Sequence, residues 1–135
     1  MDFPVLFTGT VITGNRLGRT IGFPTINLAV DETQIRTLAQ GVYAARVLYN
    51  GKLYDGMANL GTRPTIEDNR LLLEVNLFDF SEDTYGKPVT VYLYEYIREE
   101  KKYAGLEELQ EQIALDKKVI EKILLMKPHP DPDAQ

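Results

Sequence analysis

The apolar residues of this chain change their spacing once, near residue 100, and no other feature restricts its possible folds as much. Before residue 98 they alternate with period two, as along strands with one face in a core. After residue 105 they recur every three or four positions, the spacing of a single helix face. The order expected is therefore strands first, then one helix.

The strand readings are "VLFTGTVIT" over 5–13, "PTINLAV" over 24–30, two runs within "GVYAARVLYNGKLYDGMANLG" over 41–61, "LLLEVNLFDF" over 71–80 and "VTVYLYEYI" over 89–97. Asn50-Gly51 separates the two middle runs, and both residue types accept the positive φ of a type I′ turn, so a hairpin is predicted there. The polar stretch "DETQIRTLAQ" over 31–40 reads as irregular or as a short helical turn. Short antiparallel strands without intervening helices favour a closed or nearly closed barrel, because closure removes unpaired edges. In "GLEELQEQIALDKKVIEKILL", Leu106, Leu109, Ile113, Ile120 and Leu124 form the stripe that must pack on the barrel. Glu107 and Glu108 fall in its first turn, where the helix dipole favours negative charge.

At 135 residues the chain is the size of one domain, predicted over 1–126, with a flexible Pro-rich tail over 127–135. Its net charge of -5 disfavours nonspecific nucleic-acid binding. Without cysteine there is no disulfide, thiolate nucleophile or cysteine zinc site, and the single histidine, His129, lies in the tail. "MDFPVLFTGTV" has neither the basic start nor the sustained apolar run of a signal peptide or membrane anchor. A cytoplasmic location without membrane contact is the expectation.

Three places could carry chemistry. The loop "GNRLGRTIGFPTINL", 14–28, has the wrong glycine spacing for a Walker A or a dinucleotide fingerprint. Its glycines permit close backbone approach, so its N–H groups could converge on an anion with Arg16 or Arg19; a long β-connection rich in turn residues explains the same composition. Thr25 and Asn27 lie two apart, which puts both side chains on one strand face about 6 to 7 Å apart. Their neutral oxygens suit Mg²⁺ completed by nucleotide phosphates; they also suit a plain polar outer face.

Glu74 is the third. Alternation puts Leu72, Glu74, Asn76 and Phe78 on one face and Leu71, Leu73, Val75 and Leu77 on the other, which must be core. The Glu74 face is either solvated surface or the floor of a cleft holding a base, and periodicity does not choose. The run "REEKKY" reads as a solvated connection between strand and helix, and Tyr92, Tyr94 and Tyr96 as one strand face packed on the barrel or the helix.

The ordered set "GTVITG", "GRTIGFPTINL", "GVYAARV", "ANLGTRPTI", "LEVNLFDF", "DTYGKPVTVYLYEYIREEKKY" and "LQEQIALD" resembles the riboflavin kinases (flavokinases), from about Gly9 to Leu124. The same module forms the C-terminal half of bacterial bifunctional FAD synthetases. The resemblance implies a six-stranded antiparallel, Greek-key-like β-barrel with a C-terminal helix packed on it. It implies transfer of the γ-phosphate of Mg-ATP to the ribityl 5′-hydroxyl of riboflavin, giving FMN and ADP. Carried over by position, Glu74 is the catalytic base, and Thr25 and Asn27 hold Mg²⁺ and phosphate oxygens. Gly14, Gly18, Arg19 and Gly22 cover the nucleotide, with Tyr85 near it. Phe23, Arg98 and Lys101 lie by the flavin. The chain departs from the family pattern at Ile26, where Ala is common, and at Asn76, where His is common. Asn76 shares the face of Glu74 and is expected to act on the hydrogen bonding of the base. A noncatalytic flavin- or nucleotide-binding barrel is the alternative, and the adenylyltransferase half of a bifunctional enzyme has no room in these residues.

Overall fold

The computed structural model describes residues 4–12, 25–29, 38–64, 69–80 and 84–130. Among them are six strands, β1 (Val5–Thr10), β2 (Thr25–Ala29), β3 (Gly41–Tyr49), β4 (Lys52–Pro64), β5 (Asn69–Leu77) and β6 (Pro88–Arg98), and one helix, α1 (Leu106–Leu125). The hairpin predicted at Asn50-Gly51 joins β3 to β4, with φ of 51° and 79° at the two turn residues. β1 ends sooner than its apolar pattern suggested. β5 stops at Leu77; the Phe78 N–H still donates to Asp55 O, one position past the last pair, before Asp79 takes a φ of 54°.

All pairings are antiparallel, and the sheet order is β1-β6-β3-β4-β5-β2. β3, β4 and β5 form a meander and β6 returns beside β3, which is the Greek-key order. The two edge strands, β1 and β2, are drawn together beyond Thr10, where the Ile12 N–H donates to Asn27 O at 2.9 Å. Among the described residues a single bridge joins this corner of the barrel.

Alternation gives each strand two faces, and each face has its own partner. Phe7, Ile26, Tyr43, Leu60, Leu73 and Val91 belong to the inner cluster that fills the barrel. Val42, Met57, Tyr92 and Tyr94 project from the outer face and pack with Ile113, Ile120 and Leu124 of α1. A buried Leu, Ile or Val contributes about 1.5–3 kcal/mol relative to exposure, so both layers are needed to hold the helix and curl the sheet. Leu106, at the start of the predicted stripe, stays exposed, whereas Leu109 is partly buried. Glu107 and Glu108 occupy the first turn as read, and Glu108 Oε2 accepts from Ala104 N–H at 3.2 Å.

Two irregularities in β6 change one expectation. The β3–β6 register shifts between Ala44 and Ala45 and again between Val42 and Tyr43. Each shift places one extra residue on β6, a bulge that reverses which face the following side chain takes. Tyr92 and Tyr94 therefore lie under α1, but Tyr96 is turned away from them and sets its ring edge-on to Tyr43, with centroids 5.3 Å apart. The three tyrosines do not share a face. Gly41 is required opposite: a Cβ there would stand 2.7 Å from both the Tyr96 ring and Arg98 O.

The second shift returns Arg98 to the helix side. Arg46, from the same outer face of β3, is buried beneath the end of α1 and donates to Leu124 O at 2.7 Å and Pro128 O at 2.9 Å. The first residues of the stretch read as a loose tail are thus anchored, because Lys127 and Pro128 offer their carbonyls to a buried cation. Residues 131–135 lie outside the described residues.

Candidate active site

The outer face of the sheet is half covered. α1 lies chiefly over β4 and β3, with Tyr92 and Tyr94 of β6 in the same cluster, and no residue of β2 or β5 belongs to that cluster. On β2 the apolar Ile26 and Leu28 point inward, which turns Thr25 and Asn27 outward. On β5 Leu73, Val75 and Leu77 fill the barrel, which turns Glu74 and Asn76 outward. The β2–β5 register makes Thr25 the partner of Asn76 and Asn27 the partner of Glu74. Directly opposed residues have Cβ atoms about 4.5–5.5 Å apart, so the candidate base and the candidate cation ligands are immediate neighbours.

The same row continues across the sheet. Glu74 is also the partner of Asn59 on β4, Asn59 of Val42 on β3, and Val42 of Arg98 on β6. Asn27, Glu74, Asn59, Val42 and Arg98 thus follow one another over four strand spacings, about 19 Å along the sheet. Glu74 stands between the Thr25–Asn27 pair on one side and Arg98 on the other.

This face is only partly open to solvent. Asn27 is buried, and Thr25, Glu74, Asn76 and Asn59 are each half-buried. Asn76 Nδ2 donates to Thr25 Oγ1 at 2.9 Å. A hydroxyl has two acceptor lone pairs, so this bond fixes the Thr25 rotamer and leaves it a lone pair for a ligand. Among the described residues no group of three or more His, Cys, Asp and Glu could hold a metal ion. A cation here would take the hydroxyl and amide oxygens of Thr25 and Asn27 and depend on phosphate oxygens for the rest. That donor set fits a hard divalent cation that arrives with a nucleotide.

Arg98 is held by α1. Its Nη2 and Nε meet the two carboxylate oxygens of Asp116 at 2.7 and 3.3 Å, and Nη2 also donates to the Tyr103 hydroxyl at 3.1 Å. Burial disfavours the cation, but the hydrogen bonds and charge of Asp116, with Tyr103, more than offset this and raise the Arg98 pKa above its ordinary value. Arg98 Nη1 donates to Glu99 O at 2.8 Å, so one side chain folds the start of the β6–α1 connection back on itself. Lys101 is exposed within that connection.

Tyr85 is exposed, in a turn with Gly86 at φ 77°. The Gly86 N–H donates to Val11 O at 2.9 Å, and Val11 adjoins the Ile12 bridge to Asn27. Tyr85 is therefore on the Asn27 side of Glu74, away from Arg98. Gly14, Gly18, Arg19, Gly22 and Phe23 lie outside the described residues. Sequence reasoning missed Asp116 and Asn59. Asp116 falls at helical spacing between Ile113 and Ile120 inside the apolar stripe, and a carboxylate there already signals a buried cationic partner.

The sequence matches the family described as "Flavokinase: Riboflavin kinase" over residues 1–124. It is 43% identical over 117 residues to a bifunctional riboflavin kinase/FMN adenylyltransferase of Bacillus subtilis, covering 84% of this chain and 37% of the relative. A crystal structure of a protein named as a macrolide-efflux protein from Streptococcus pneumoniae is similar at 36% identity and a TM-score of 0.76, over 87% of this chain and 38% of that one. The crystal structure of riboflavin kinase from Trypanosoma brucei shares the fold at 21% identity and a TM-score of 0.63, over 93% of this chain and 82% of that one. The chain spans about 37% of the length of the bifunctional relative from Bacillus subtilis. Among the described residues no helix is long and apolar enough to cross a membrane.

Proposed function

Because the chain belongs to the flavokinase (riboflavin kinase) family, we infer that it is an ATP-dependent riboflavin kinase making FMN and ADP. The observation that carries this reading to particular residues is the register that puts Thr25 and Asn27 on one side of Glu74 and Arg98 on the other. A phosphoryl transfer needs the acceptor hydroxyl aligned with the γ-phosphate, the developing charge neutralised and one proton removed.

Each need has a residue. Thr25 and Asn27 would hold Mg²⁺, which offsets the phosphate charge when bound. Gly14, Gly18, Arg19 and Gly22 cover the nucleotide, with Tyr85 beside it, and Phe23, Arg98 and Lys101 receive the flavin. Glu74 accepts the proton of the ribityl 5′-hydroxyl as that oxygen bonds to the γ-phosphorus and the bond from phosphorus to the bridging oxygen breaks, releasing ADP. ATP and riboflavin meet in the cytoplasm, the compartment proposed, and the net charge of -5 disfavours nonspecific nucleic-acid binding. FMN adenylylation is assigned to a separate module of the bifunctional relatives, so the 135 residues alone are expected to make FMN and no FAD.

The test is incubation of the purified chain with riboflavin, ATP and Mg²⁺, with separation of the flavins by chromatography. FMN is the expected product. Tight riboflavin binding without FMN would replace the kinase with a noncatalytic flavin-binding barrel.

A further inference from the structure

We propose that Asn59 is a substrate-contacting residue of this site, whose side-chain oxygen accepts a hydrogen bond from an inner hydroxyl of the ribityl chain and so aims the 5′-hydroxyl at Glu74. The proposal rests on the riboflavin kinase reading above and adds a residue to it. The first support is placement. Ala58 and Leu60 are fully buried in the barrel, which turns Asn59 to the outer face, where it is the cross-strand partner of Glu74. Its other partner is Val42, which is buried in the cluster packed with α1.

The second support is chemical. Asn59 Oδ1 is buried and has no hydrogen-bond partner among the described residues. A buried acceptor without a donor is costly, and such atoms in native structures need an explanation. Its neighbours in the row cannot supply one: Val42 is apolar, and an ionised Glu74 carboxylate only accepts. None of the described residues supplies the donor, a place that water fills in the free enzyme and a ligand in the complex.

The third support decides which ligand. Asn59 is on the Arg98 side of Glu74, opposite to Thr25 and Asn27. Phosphate oxygens are acceptors and would oppose Oδ1, whereas a polyol offers O–H donors. One strand spacing, about 4.8 Å, separates Asn59 from Glu74, which is the span of a few carbons of the ribityl chain. An inner hydroxyl bound at Asn59 thus leaves the terminal hydroxyl within reach of the base.

The experiment compares riboflavin with a flavin whose N10 substituent is 5-hydroxypentyl, which keeps the ring and the terminal hydroxyl but lacks the inner ones. Binding is read by quenching of flavin fluorescence, independently of turnover, and kcat/KM is measured for both. Wild type should prefer riboflavin by about tenfold, the scale of one hydrogen bond made to a buried acceptor. Asn59→Leu should lose that preference by weakening riboflavin binding, with the analogue's affinity and the ATP KM within about twofold of wild type. Asn59→Ala, which also removes the acceptor, replaces it if the leucine variant does not fold. Equal wild-type affinity for the two flavins, or undiminished discrimination in the variants, overturns the proposal. FMN formation by wild type is scored separately, so a failed kinase assay with intact flavin discrimination would count against the kinase reading and not against Asn59.

Discussion

Asn76 on β5 donates its side-chain amide to the hydroxyl of Thr25 on β2, Nδ2 to Oγ1 at 2.9 Å. The two are cross-strand partners, whereas Glu74 is two residues along the same strand as Asn76, about 6 to 7 Å away. The departure from the family pattern at Asn76 therefore bears on the proposed cation ligand, a partner that the sequence did not suggest.

That bond yields the first prediction. Asn76→Ala frees the Thr25 rotamer without opening the core, since Asn76 is outside the barrel cluster. One neutral hydrogen bond contributes about 0.5–1.5 kcal/mol, so Mg-ATP affinity should fall roughly threefold to tenfold. Calorimetric titration with Mg-ADP measures it, alongside circular dichroism to check the fold. Unchanged affinity would remove Thr25 positioning from the account.

The role proposed for Glu74 makes a different demand. Glu74→Gln keeps the size of the side chain and its place between Asn27 and Asn59 but takes away the proton acceptor. General-base catalysis accounts for about 10²–10⁴ in rate, so kcat should drop by that factor while the ATP KM moves little. Steady-state kinetics at saturating riboflavin and ATP separate the two parameters, and turnover near wild type would exclude Glu74 as base.

Asp116 holds Arg98 through two contacts of 2.7 and 3.3 Å, and its side chain is only 7% exposed. Removing one member of a buried ion pair leaves the other charge uncompensated, which is strongly destabilising. Asp116→Ala should therefore lower stability by about 3 kcal/mol in urea denaturation. Riboflavin affinity should fall more than ATP affinity, because Arg98 and the β6–α1 connection lose their anchor at the end of the row far from Thr25. Arg98→Lys should reproduce the binding defect in part, as an ammonium lacks the planar fork that makes two parallel bonds to a carboxylate. Equal losses for both substrates would mean that the pair acts only on global stability.

Much of this site was readable from alternation alone. Period two fixed the inward face of β5 and hence the outward direction of Glu74, and Asn50-Gly51 fixed the register of β3 against β4 by way of its turn. Alternation says nothing of which strands become neighbours. The row from Asn27 to Arg98 depends on β2 pairing with β5 and β6 with β3, both contacts between strands distant in sequence. The bulges in β6 were hidden for a related reason: "VTVYLYEYI" alternates without a break, and the reversal at Tyr96 appears only against Tyr43 of β3. Asn59 looked like an ordinary polar residue because the burial of its oxygen comes from what packs beside it, whereas Asp116 could have been noticed from its place inside the apolar stripe of α1.

Arg46 presents the same difficulty, a charge inside the apolar run "GVYAARVLY", and it carries the last prediction. Its guanidinium lies 4.9 Å from the centre of the Tyr94 ring, donates to the Tyr94 hydroxyl at 3.2 Å, and stands 3.5 Å from Asp55 Oδ1. Its bonds to Leu124 O and Pro128 O satisfy carbonyls at the end of α1, where the helix dipole also favours a cation. Arg46→Met keeps the apolar length of the side chain but removes its charge-assisted bonds, leaving Leu124 O only the Lys127 N–H and Pro128 O only the Tyr94 hydroxyl, at a cost of about 2 kcal/mol. The loss should be local, with amide hydrogen exchange rising over Ile120–Met126 while β3, β4 and β5 keep their protection. Exchange that rises evenly across the sheet would show that Arg46 supports the barrel as a whole and not the docking of α1.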